Sequence, residues 1–310
     1  MSDKIYVGLF TMRTLTLFML CCAYISASPH KTYGQELVST ISIITQHSRY
    51  GGGRIYVPAR IDNYKGYMRF DTGASSSRFY KSAWNKKFIS KGISHSISAT
   101  SAITKCDEIV IPNLSIVAQS GNAIGRINYL ATRCAAGSGD NLLGLDFLKG
   151  SEFTVNLKDS QLRFFEPTGN DSKTHLLRAL GRNKELIGID LDIGDLSTYG
   201  LLDTGAEMTA VDSVYFNAHP ELFETVQNKI SLRGANGKVI ASSLCKIKLI
   251  NLGNGFIIKN LYALVYDFSL LKDEIGHNTP VILGYNFFEK FKWKFNFKKN
   301  ITPMWSVYNY

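Results

Sequence analysis

Apolar and polar positions alternate in short runs along most of the chain, and the runs come twice in the same order. Residues 54–61 (Arg-Ile-Tyr-Val-Pro-Ala-Arg-Ile) read as a strand, residues 63–66 as a turn, and residues 67–70 as a second strand. The plan recurs at residues 186–193, 194–197 and 198–202. Further on, Leu142-Leu143-Gly144 has its counterpart in Ile282-Leu283-Gly284, and each is followed by alternating strands, at residues 152–165 and 291–297. Residues 37–45 alternate weakly and fit either a strand or part of a short pro-segment. Residues 49–53 (Arg-Tyr-Gly-Gly-Gly) read as a flexible break.

Both repeats deliver the same tetrapeptide to a turn: Asp71-Thr72-Gly73-Ala74 and Asp203-Thr204-Gly205-Ala206. Residue usage makes one such tetrapeptide an accident in roughly one chain in a few hundred of this length, so two in matched contexts point to a shared site. Two carboxylates within hydrogen-bonding reach cannot ionise independently, and such a pair shares a proton. One member then serves as base and the other as acid, so a water between them can attack a peptide carbonyl. That chemistry needs no metal and no cofactor. Glycine two residues after each Asp allows close approach of the partner loop, and alanine after it leaves room for substrate.

The amino-terminal 28 residues read as a secretory signal: Lys4 and Arg13 precede an apolar run, residues 15–25, and Ser26-Ala27-Ser28 offers small residues for cleavage. An uncleaved membrane anchor is the alternative. Without this segment Cys106, Cys134 and Cys245 remain, enough for one intrachain disulfide, and Cys106 with Cys134 is the pair within one half. Neither the cysteines nor the six histidines have the spacing of a zinc site. The net charge of +10 permits anionic partners. Its densest group, at residues 290, 292, 294, 298 and 299, alternates with aromatics, and so reads as a strand with one solvated basic face instead of a nucleic-acid site.

Asp-Thr-Gly-Ala after an apolar strand, with an apolar-apolar-Gly segment some seventy to eighty residues on, resembles the retropepsin-like aspartic proteases. Bacterial members often carry Gly-x-Asp-Phe-Leu there, as residues 144–148 do. The resemblance covers nearly the whole mature chain, once per half, and implies the fused single-chain form. The implied fold is all-β, with two homologous β-barrel lobes and the active site in the cleft between them. The expected organisation is a signal at 1–28, an extension or pro-segment at 29–50, a first lobe at 51–167, a linker at 168–184 and a second lobe at 185–310.

The resemblance further implies that Asp71 and Asp203 are the catalytic dyad, that Thr72 and Thr204 interlock the two loops, and that Gly144 and Gly284 pack an apolar loop beneath each turn. It places flap tips at Ala99-Thr100 and at Gly234-Ala235-Asn236-Gly237. Residues such as Phe79, Tyr80, Met208 and Tyr215 fit pocket walls and lobe core equally. Neither flap has the tyrosine of pepsin flaps, and only residues 29–50 are available as a pro-segment, so weak or no autoactivation is expected. Alanine at positions 74 and 206 suggests a mildly acidic optimum. The implied function is a secreted or periplasmic endopeptidase, monomeric, acting on polypeptide, with no nucleic-acid partner and no membrane insertion beyond an uncleaved signal. A catalytically inactive peptide-binding or assembly module of the same fold is the alternative, because fold alone does not establish turnover.

Overall fold

The computed structural model describes residues 36–97, 103–135, 139–166, 174–233, 239–269, 271–276, 278–298 and 302–310. The strands of the first half are β1 (Leu37–Ser42), β2 (Ile44–His47), β3 (Gly53–Ile61), β4 (Tyr64–Phe70), β5 (Arg78–Tyr80), β6 (Ser90–Ile97), β7 (Ile103–Ile116), β8 (Ser120–Gly121), β9 (Ile124–Cys134), β10 (Leu142–Leu143), β11 (Glu152–Asn156) and β12 (Gln161–Phe165). Those of the second are β13 (His175–Leu176), β14 (Arg178–Leu180), β15 (Leu186–Ile193), β16 (Leu196–Leu202), β17 (Thr209–Asp212), β18 (Phe223–Arg233), β19 (Val239–Asn251), β20 (Ile257–Tyr266), β21 (Val281–Leu283), β22 (Lys292–Asn296) and β23 (Met304–Tyr308).

The duplication in sequence is a duplication in topology. One sheet runs β2-β3-β4-β10-β5-β9-β7-β6 and closes through β3 on β7. The other runs β14-β15-β16-β21-β17-β20-β19-β18 and closes through β15 on β19. Position for position the two orders are the same, so the chain is all-β with two homologous lobes. Alternation sets the inner face of each: Ile55, Val57, Ala59 and Ile61 of β3, and Ile187, Ile189, Leu191 and Ile193 of β15, are buried. The hairpins after these strands are tighter than the sequence suggests. Ile61 pairs with Tyr64 and Ile193 with Leu196, leaving two-residue loops in which Asp62 and Gly194 take positive φ, a geometry that matches the twist of the flanking strands.

A third sheet joins the halves, in the order β13-β23-β22-β11-β12-β1-β8. Its centre is the antiparallel pair of β11 with β22, where Phe153 faces Phe295 and Thr154 faces Lys294. Phe153 packs on Phe164, Phe295 and Phe297 at ring separations of 5.4–5.8 Å. The lysine face of β22 departs from the expected solvated strand. Lys294 is largely covered and pairs at 3.0 Å with Glu152, which is fully buried, while Lys292 lies over the Tyr308 ring.

Residues 37–45, open between strand and pro-segment in the sequence, fall in β1 and the start of β2, which pair with β12 and β3. Part of the segment expected as a linker is also structured: β13 pairs with β23 and β14 with β15. The supposed flexible break is a close-packing point instead. A side chain on Gly53 would meet the Tyr285 ring, and its N–H donates to Glu207 O at 3.0 Å. Cys106 and Cys134 face each other on β7 and β9 and form a disulfide, which closes a loop over a separation of 28 residues. Loop-closure entropy makes that link worth about 3–4 kcal/mol. Cys245 is buried and unpaired.

Candidate active site

Each aspartate leaves its strand at the same place. Asp71 follows β4, which lies parallel to β10, and its N–H donates to Leu143 O at 3.0 Å. Asp203 follows β16, parallel to β21, and donates to Leu283 O at 3.0 Å. The loops interlock through their threonines, both fully buried. Thr72 N–H donates to Thr204 Oγ1 and Thr204 N–H to Thr72 Oγ1, each at 3.0 Å. The two hydroxyls donate to Leu202 O and Phe70 O at 2.9 Å.

This lock sets the carboxylates against each other. A Cβ on Gly73 would overlap the Asp203 carboxylate, and one on Gly205 would overlap that of Asp71. Only glycine admits so close an approach. The two carboxyls are close enough for each to act on the ionisation of the other. Gly73 N–H donates to Asp71 Oδ1 at 3.0 Å and Ala206 N–H to Asp203 Oδ1 at 2.9 Å.

Beneath each loop lies the apolar turn expected at Gly144 and Gly284. Leu145 N–H donates to Ala74 O and Tyr285 N–H to Ala206 O, both at 2.9 Å. Gly144 N–H donates to Ser77 Oγ and Gly284 N–H to Thr209 Oγ1. Those hydroxyls donate in turn to Asp146 Oδ1 and Asn286 Oδ1. Either glycine given a side chain would strike the backbone of the turn above it.

Burial raises both dyad carboxylic acids above the ordinary range. For Asp203 the charge of Asp71 adds to the effect, and for Asp71 the cations Arg69 and Arg78 oppose it. Arg69 is anchored across the lobe junction, 3.9 Å from Glu207 and 3.8 Å from Asp140. Arg54 donates its Nε to the same Glu207 oxygen at 2.6 Å. Tyr56 donates its hydroxyl to Asp140 Oδ2 at 2.9 Å.

The chain shares its fold with a seed protein. It is similar to conglutin gamma, a basic 7S globulin from lupine seeds, with 8% identity and a TM-score of 0.53 over 89% of this chain and 96% of that one. It is also similar to basic 7S globulin from soybean, with 10% identity and a TM-score of 0.48 over 88% and 95% of the two chains. A third similar structure is an aspartic proteinase from Irpex lacteus, with 15% identity and a TM-score of 0.49 over 87% and 97%. No protein-family model matches the chain, and no curated protein matches its sequence. At such identities the lupine likeness speaks of fold alone.

The structure brings together Asp71, Asp203, both threonines, Gly73, Gly205, Ala74, Ala206, Gly144 and Gly284. The flap tips at Ala99-Thr100 and at Gly234, Ala235, Asn236 and Gly237 lie outside the described residues, although β6–β7 and β18–β19 lead toward them. Phe79 is core and fully buried. Met208 is buried, and Tyr80 and Tyr215 are partly exposed. Among the described residues no group of His, Cys, Asp or Glu is arranged to hold a metal.

Sequence reasoning missed Ser77, Thr209, Asp146, Asn286, Arg69, Arg78 and Glu207. A signal existed for the first four. Ser77 and Thr209 follow their aspartates at the same interval, as Asp146 and Asn286 follow their glycines.

Proposed function

We propose that the chain is an aspartic endopeptidase of the single-chain, two-lobed kind. The observation that carries this reading is the facing pair of carboxyls, Asp71 and Asp203, each lying against the opposite loop's glycine. Arg69 and Arg78 favour the ionised form of Asp71, and the charge of Asp71 favours the protonated form of Asp203. A water between them therefore gives a proton to Asp71 as its oxygen attacks the scissile carbonyl carbon, and Asp203 gives its proton to the carbonyl oxygen. Collapse of the tetrahedral diol breaks the C–N bond, with Asp71 giving its proton to the leaving amine nitrogen and one diol hydroxyl giving its proton to Asp203 as the carbonyl re-forms. The dyad returns to its starting state.

The substrate on this reading is an extended polypeptide, and one chain suffices because it supplies both lobes. Export to an oxidising compartment, secreted or periplasmic, agrees with the Cys106–Cys134 disulfide. The expected signal at 1–28 lies outside the described residues, and among those described no helix is long and apolar enough to cross a membrane.

The test is cleavage of an unfolded protein across pH 3 to 8 by the wild type, Asp71→Asn and Asp203→Asn, with pepstatin as probe. Activity that either substitution abolishes is the expected result. A folded wild type that is inert over the whole range sinks the reading in favour of a peptide-binding module.

A further inference from the structure

Two cations act on the dyad, and the fold treats them differently. Arg69 is met by Glu207 and Asp140. Arg78 has no carboxylate partner among the described residues. Its Nη1 donates to Ser96 Oγ at 2.7 Å, its guanidinium lies 5.5 Å from the centre of the Tyr80 ring, and its Nε is buried without a hydrogen-bond partner.

Topology says where this guanidinium is. On β5 the Phe79 side chain enters the core, so Arg78 and Tyr80 turn to the other face. Strands β5 and β6 are separated in the sheet by β9 and β7. Contact between Arg78 and Ser96 of β6 therefore requires the β6–β7 hairpin to curl back across β5. The guanidinium sits under that hairpin, close enough to the dyad for its charge to bear on Asp71.

The second lobe shows that the fold does not require a cation here. Arg78 pairs with Leu142 as Ala210 pairs with Ile282, so Ala210 is the equivalent residue, and it is buried and neutral. A polypeptide filling the cleft would strip water from Arg78, which is costly unless a carboxylate replaces that water. A guanidinium fork binds a carboxylate through two charge-assisted hydrogen bonds. The net charge of +10 also draws acidic chains toward the protein.

We propose that Arg78 is the specificity-determining residue of the cleft, and that the preferred substrate is a polypeptide with a Glu or Asp side chain within one or two residues of the scissile bond. The proposal rests on the peptidase reading, and its test separates the two.

Two uncleavable, statine-containing peptides that differ only in Glu against Gln are titrated by fluorescence anisotropy into the wild type, Arg78→Gln, Arg78→Glu and Arg78→Lys. The wild type is expected to bind the Glu peptide about tenfold more tightly, with the ratio falling as salt is added. Arg78→Gln should bring the ratio near one, Arg78→Glu should invert it, and Arg78→Lys should keep part of it. A wild type that binds both peptides equally, or neither, overturns the proposal, as does a ratio unchanged in Arg78→Gln. Cleavage sites in an unfolded protein, mapped by mass spectrometry, supply the second readout. Discrimination in binding by a chain that cuts nothing keeps the role of Arg78 and sinks the peptidase reading. Cutting without acidic bias does the reverse.

Discussion

Thr72 and Thr204 each accept the other's backbone N–H, and each donates its hydroxyl to the carbonyl just before the other's aspartate. The spacing of the two carboxyls is thus fixed by side chains that take no part in the chemistry. Thr72→Val keeps the shape but leaves Thr204 N–H and Leu202 C=O buried and unpaired, at about 1–3 kcal/mol each. Chemical denaturation is expected to show a loss of about 2–5 kcal/mol for Thr72→Val and a much smaller one for Thr72→Ser. Equal losses would mean that the hydroxyl does not hold the loops.

Gly73→Ala and Gly205→Ala should separate activity from folding. Neither glycine takes a positive φ, so the added methyl brings no backbone strain and acts only by collision with the opposite aspartate. Displacing a carboxyl by about 1 Å is expected to lower kcat/KM on the order of a hundredfold. The melting temperature should move by only a few degrees. A variant with wild-type kcat/KM would show that the carboxyls do not need this contact.

The dyad and the duplication were legible because chemistry and topology both repeat in the sequence, Asp for Asp and Gly for Gly. The joining sheet was not. Alternation in residues 152–165 and 291–297 announces strands, but nothing local names β22 as the neighbour of β11 or β1 as the neighbour of β12. Lys294 reads as solvated until its partner Glu152 is known. Arg69 and Arg78 look like ordinary polar positions of short strands, since their importance comes from carboxyls that lie beyond their own strands. Gly52 and Gly53 read as slack chain, yet they are small because Met208, Glu207 and Tyr285 press on them.

The raised pKa values of the dyad make a prediction that needs no substrate. A carboxyl with a folded pKa above its unfolded value adds stability that is fully present below the unfolded pKa, near 4, and is lost as pH rises through the folded value. Both members of the pair are raised. Asp203→Asn removes one ionisation at nearly constant shape. The variant should therefore melt close to the wild type near pH 3 and above it at pH 8, by about 3–6 °C. A variant that melts lower than the wild type at pH 8 would show that burial does not disfavour ionisation of Asp203.

The amino-terminal strands decide where a mature form can begin. On β1, Ile41 is fully buried and Thr40 pairs with Arg163, so β1 covers what would otherwise be the open edge of β12. On the other side of Ser42, Ile43 N–H donates to Ser160 O and β2 covers the edge of β3. A chain cut at Gly52 loses both strands, the burial of Ile41 and Ile43 at about 1.5–3 kcal/mol each, and the pairing along two sheet edges. Such a chain is expected to melt more than about 10 °C lower, or not to fold, whereas one beginning at Glu36 keeps both strands. Acid incubation followed by intact mass measurement should accordingly find no cut between residues 37 and 52. A stable, active form that begins at Gly52 would instead make β1 and β2 a displaceable pro-segment.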